Sequence, residues 1–167
     1  MKSVWLFILA LAAPAFAQAG DSVSIERKDA PRAVLEKIGC GMEPSFVTRQ
    51  PFAGGQVFAA QCPGNHANYI QALVYADDAQ GGNARLLLFP RPGKKSKTNP
   101  AESLSNIRWF PKAREVTELF VDPESKICRR EARWRLDAKA QPRLVYWRQT
   151  QDCKGKSGWR VLVDRQR

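Results

Sequence analysis

Residues 132–164 alternate strictly enough to dictate a sheet. Ala132, Trp134 and Leu136 fall on one side of an extended chain, and Arg133, Arg135 and Asp137 fall on the other. This is the period-two signature of a half-buried strand. A turn over Asp137 to Pro142 reverses the chain, and Leu144, Tyr146 and Arg148 then alternate against Val145, Trp147 and Gln149. Lys154 to Gly158 makes the next turn, after which Trp159, Val161 and Val163 oppose Arg160, Leu162 and Asp164. The pattern predicts an antiparallel meander of three strands with one mainly apolar and one mainly cationic face. Trp134 and Trp159, with aliphatic neighbours at the same phase, are expected in the core.

Upstream, Asp29 to Ile38 reads as a short helix. Asp29 is its expected N-cap, Pro31 lies in the first turn where a missing N–H costs nothing, and Gly39 is the stop. Gln56–Gln61, Tyr69–Tyr75 and Arg85–Phe89 read as strands, with Asp77-Asp78 and Gly81-Gly82 forming a turn. The unbroken Leu86-Leu87-Leu88-Phe89 implies burial on both faces. Pro90–Pro100 is rich in proline and lysine and should be an exposed loop, and Val116–Val121 is a further strand. Residues 106–110 carry no decisive pattern. The expected class is α+β: mostly antiparallel β with one short N-terminal helix. It would comprise two disulfide-stapled β units, blocks 29–90 and 104–167, joined by loop 90–103. A strand–Cys-x-Gly–turn–strand echo around Cys62 and Cys153 suggests a pseudo-repeat.

Residues 1–19 have the order of a secretory signal peptide. Lys2 precedes an apolar run from Val4 to Ala13, Pro14 ends it, and Ala15-Phe16-Ala17 or Ala17-Gln18-Ala19 offers a cleavage site. The run is too short for the roughly 20 residues of a spanning helix. No cysteine marks a lipid anchor, and no later stretch is long and apolar enough to be a transmembrane segment. The expectation is one exported domain, 20–167, in the periplasm or outside the cell. There Cys40, Cys62, Cys128 and Cys153 are expected as disulfides. Four cysteines permit three connectivities; Cys40–Cys62 and Cys128–Cys153 are favoured because each pair lies inside one block. Loops of that size stabilise by roughly 3 kcal/mol each in the chain-entropy model. The spacings are not those of zinc knuckles or C-x-x-C redox pairs.

Catalytic signals are sparse. His66 is the only histidine and sits in a turn-like Gly64-Asn65-His66-Ala67-Asn68. No carboxylate at motif spacing orients it as a base. Asp77 and Asp78 supply too few oxygens for calcium and suit a hairpin turn instead. No nucleophile-elbow, zinc-protease, Walker or dinucleotide pattern occurs. An enzyme, a metal and a cofactor are therefore not expected.

Charge is the informative quantity. Lysine and arginine number 27 against 16 acidic residues, and residues 127–167 hold 12 of the former against 4 of the latter. Arg129, Arg130, Arg133, Arg135, Arg148 and Arg160 interleave with Trp134, Tyr146, Trp147 and Trp159. Guanidinium forks on a sheet face suit phosphate, carboxylate or sulfate groups, and few acidic residues lie among them in sequence. The expected partner is an anionic envelope polymer or an acidic protein. Export excludes nucleic acid as a cellular partner. The alternative function is a periplasmic inhibitor or chaperone-like factor acting on another protein.

Two stretches, GGQVFAAQCPGNHANYIQALVY (54–75) and ICRREARWRL with LVYWRQTQDCKGKSGWRVLVDR (127–136 and 144–165), resemble the domain-of-unknown-function 1176 family. Gly55, Cys62, Asn68 and Tyr69 match in the first stretch, and Cys128, Trp134, Cys153 and Trp159 in the second. The resemblance implies an exported, disulfide-bonded protein and implies no reaction.

Overall fold

The computed structural model describes residues 22–38, 44, 46–65, 67–92, 101–125, 127–150 and 158–165. The signal-peptide segment, Cys40, His66, Cys153, residues 93–100 of the expected loop and residues 154–157 of the expected turn lie outside them. Among the described residues the elements run β1 (Val23–Ile25), a 3-10 turn (Arg27–Asp29), α1 (Arg32–Leu35), β2 (Phe46–Phe52), β3 (Gly55–Asn65), β4 (Asn68–Ala76) and β5 (Arg85–Leu86). They continue with β6 (Leu104–Ser105), β7 (Arg108–Phe110), β8 (Glu115–Val121), β9 (Arg129–Leu136), β10 (Pro142–Thr150) and β11 (Trp159–Asp164). No helix among these residues is long and apolar enough to cross a membrane.

The strands form two antiparallel sheets. The first has the order β1-β2-β3-β4-β5, with β6 also pairing to β4; the second is β11-β10-β9-β8-β7, a meander strung in chain order. β6 pairs with β4 although it follows the 90–103 segment, so the sheets do not divide where the two sequence blocks do. The β2–β3 hairpin closes through Ala53 and Gly54, at φ 50° and 83°, between the paired Phe52 and Gly55. Two successive left-handed residues match the twist of such a two-residue loop, and glycine adopts that conformation without Cβ strain.

The main core lies where the sheets face each other. Phe52, Val57 and Leu73 of the first sheet, with Leu87 and Phe89, pack against Val116, Ala132, Trp134, Leu136 and Trp147 of the second. Trp134 is its centre: fully buried, edge-on to Phe89 at 5.3 Å and to Trp147 at 6.4 Å, its indole N–H donating to the Pro90 carbonyl at 2.7 Å. That bond removes the penalty of burying an indole donor. A smaller cluster on the other face of the first sheet packs Val34 of α1 against Val47, Phe58, Ala60 and Val74.

Four expectations change. The helix is one turn long, because Pro31 (ψ 131°) and Ala30 before it (ψ 137°) are held extended; a residue before proline is pushed out of the helical region. Asp29 therefore ends the 3-10 turn and caps nothing. The run Leu86–Phe89 is buried on both faces only at its start: Leu86 packs partly buried on the smaller cluster and Leu87 and Phe89 are fully buried in the main core, whereas Leu88 is 45 % exposed. Residues 108–110 form a strand. Trp159 is only partly buried, and its neighbour Val161 is 51 % exposed on the edge strand. Cys62 and Cys128 are in the disulfide-bonded state, and no described cysteine is free.

Candidate anion-binding face

Residues paired across antiparallel strands project to the same side of a sheet, so the register assigns each arginine to a face. Trp134 pairs with Val116 and Leu144, and Ala132 with Glu118 and Trp147; these define the inner face. Arg133 pairs with Thr117 and Tyr146, and Arg135 with Glu115 and Arg143; these define the outer face. Arg148, opposite Glu131, and Arg129, opposite Val121, have the same outer phase.

Four of the six predicted arginines thus share the outer face: Arg129, Arg133, Arg135 and Arg148. Arg130 has the inner phase. It lies 4.5 Å over the Phe120 ring and 5.3 Å from that of Trp147, and grips the buried Glu118 carboxylate through Nε and Nη2, both at 3.1 Å. Arg160 pairs with Gln149, at the phase of Arg130, and is exposed on the edge strand. Alternation in the sequence did not reveal Arg108, opposite Thr117, or Arg143, opposite Arg135; both belong to the outer face.

Two bulges explain why simple alternation mis-sorted this region. The register shifts between Leu144 and Tyr146, so Leu144 turns inward and Tyr146 outward although they share sequence parity. A second shift between Trp147 and Arg148 puts Val163 opposite Trp147, inside, and Val161 opposite Arg148, outside. Trp159, opposite Thr150, consequently lies outside, where the Arg148 guanidinium sits 4.3 Å over its ring.

The outer face is not purely cationic. Glu131 holds Arg148, with Nη2 to Oε2 at 2.6 Å. Glu115 accepts from Arg135 at 2.7 Å and lies 3.9 Å from Arg133. Both carboxylates are close neighbours across the sheet, which sequence distance concealed. Arg135 and Arg143 stand directly opposite, a like-charge pair that destabilises a sheet. Glu115 offsets this on one side, and Asp137 on the other at 3.4 Å from Arg143.

A groove of about 390 Å³ opens on this face, its lining including Arg108, Thr117, Leu119, Glu131, Arg133 and Tyr146. Arg133 lies 5.9 Å from the Tyr146 ring centre. Arg108 is exposed and has no acidic partner among the described residues. Two guanidiniums beside an aromatic ring and a hydroxyl can bind an anion carried on a flat or ring-shaped body. Among the described residues no three His, Cys, Asp or Glu side chains gather to hold a metal. Asp77 and Asp78 bind their own turn: the Gln80 and Gly82 N–H groups donate to Asp78 Oδ1, and the Asn83 amide donates to Asp77 Oδ2. No family model, curated protein or solved structure matches the chain.

Proposed function

We propose that the chain is an exported, non-enzymatic binding protein whose second sheet takes an anionic component of the cell envelope on its outer face. One observation carries this reading: at the strand positions of that face six arginines, Arg108, Arg129, Arg133, Arg135, Arg143 and Arg148, stand against Glu115, Glu131 and Asp164. A fold selected for stability alone has no use for Arg135 directly opposite Arg143. A surface that must attract anions does, because a net positive field raises the local concentration of counter-charged ligand. Export rests on the signal-peptide pattern and agrees with the resemblance described above.

Paired cysteines belong to the same proposal. The register supports Cys40–Cys62 and Cys128–Cys153: Phe46 pairs with Gln61, next to Cys62, and Gln149 with Arg130, two residues from Cys128. Peptide mapping without reduction should recover those two linked pairs; a Cys40–Cys128 or Cys62–Cys153 link would refute the assignment.

The binding test is retention on heparin, a polyanion, under a salt gradient. Arg108→Glu with Arg133→Glu should elute at clearly lower salt than Lys28→Glu with Arg32→Glu, which changes net charge equally but far from the face. Equal shifts for the two double variants would mean that total charge, and not this surface, governs retention.

A further inference from the structure

The two sheets do not touch everywhere. Between the inner side of β2–β4 and strand β7 lies a half-open cavity of about 240 Å³. Val57 and Leu73 form its apolar wall, Trp109 lies across from them, and Thr48, Gln50 and Gln71 bring polar groups. The register puts Thr48 opposite Ala59 and Gln50 opposite Val57, so both occupy the core-facing side of β2, where Phe52 serves as an ordinary core residue.

Two donors here have no acceptor among the described residues. Gln50 is only 8 % exposed, yet its Nε2 has no hydrogen-bond partner, and the same holds for the buried Nε1 of Trp109. Trp109 is steadied edge-on against Phe52 at 5.3 Å. Leaving a buried donor unsatisfied costs about 1–3 kcal/mol, and native folds rarely keep one without use. Both orphans are N–H groups, and among the described residues no charged side chain lines the cavity. A carboxylate entering it would lose its hydration without meeting a counter-ion. An uncharged oxygen acceptor suits the same groups without that penalty. The volume falls below the range of about 300–1,000 Å³ that holds drug-sized ligands, so the occupant is small.

We infer that this cavity binds a small uncharged molecule with a carbonyl oxygen on an apolar body, the carbonyl accepting from Gln50 and Trp109. The site is separate from the arginine face and stands or falls independently of it. Three probes of one shape test it on the intact protein: acetophenone, ethylbenzene, which lacks the oxygen, and benzoate, which carries a charge. The readout is the indole ¹H–¹⁵N cross-peak of Trp109, identified by its loss in Trp109→Phe. Acetophenone should move that peak saturably, with at least about tenfold tighter apparent binding than either other probe, a difference that corresponds to about 1.4 kcal/mol. Gln50→Met, which keeps volume and removes the donor, should weaken acetophenone severalfold and leave ethylbenzene unchanged. Equal binding of all three probes would reduce the cavity to an apolar hole. Preference for benzoate would overturn the uncharged assignment. No saturable shift with acetophenone would mean that the cavity is not a carbonyl site.

Discussion

Glu118 shows how much one residue can carry without a sequence signature. It is buried, and its Oε1 accepts the Ser105 N–H at 3.1 Å while both oxygens meet Arg130. Its partners lie 12 and 13 positions away on other segments, with Arg91, at 3.9 Å, farther still along the chain, so no local spacing announces them. Removing one member of a buried pair leaves the other charge stranded. Glu118→Ala should lower stability by about 3–5 kcal/mol in urea unfolding. Arg130→Ala in that background should add little, because the stranded charge has gone. Asp137 makes a weaker, pH-dependent contribution. The Gln141 N–H holds its carboxyl below the ordinary aspartate value, helped by the Lys139 N–H and by Arg143. The folded value is the lower one, so the stabilisation is present above the unfolded value and is lost as pH falls through the folded value. Asp137→Asn should therefore flatten the acid limb of a Tm-against-pH curve, and the two curves should converge at the most acid pH. A constant offset at every pH would contradict this.

Among the elements, the strands that pack on one side were legible and the irregular ones were not. Residues 129–136 alternate without interruption, and Ala132, Trp134 and Leu136 are all buried. In β10 and β11 the two bulges broke the sequence parity, which is why Trp159 was misassigned to the core; nothing in the composition of a strand marks where its partner skips a residue. The Leu86–Phe89 run misled for the opposite reason, since an exposed leucine hides the alternation beneath it. Leu87→Ala should cost about 2–5 kcal/mol. Leu88→Ala, at an exposed position, should stay within about 0.5 kcal/mol. Comparable losses at the two positions would mean that the segment is buried on both sides. Gly55, at the head of β3, admits no side chain, since a Cβ there would collide with the Ala76 carbonyl and the Tyr75 hydroxyl. Gly55→Ala should lower the melting temperature although this residue's φ is ordinary.

At the scale of the whole molecule, two asparagines fasten the sheets together. The Asn68 side chain donates to the Val121 carbonyl at 2.7 Å and accepts the Val121 N–H at 3.0 Å, copying a backbone pairing from the first sheet to the second. Asn106, at φ 46°, donates to Asn68 at 3.1 Å and to the Leu119 carbonyl at 2.9 Å, and accepts the Tyr69 N–H at 2.8 Å. Asn68→Ala orphans both polar groups of Val121, each worth about 1–3 kcal/mol when buried. Hydrogen exchange at Val121 and at Tyr69 should speed up together; acceleration at Val121 alone would show that the clamp is not shared. None of this contact could be read from residues 53 positions apart. The split pairing of β4, by β5 before residue 93 and by β6 after residue 100, has a further consequence for a chain delivered N-terminus first. Its leading half can form hairpins β2–β3 and β3–β4 on arrival, but Phe52, Val57 and Leu73 stay wet until the trailing half brings Val116, Trp134 and Trp147 to cover them. The hazardous moment for this molecule is thus midway through its delivery, when a pause between Pro92 and Ala101 leaves a half-built sandwich with its apolar side facing water, ready to stick to the next copy.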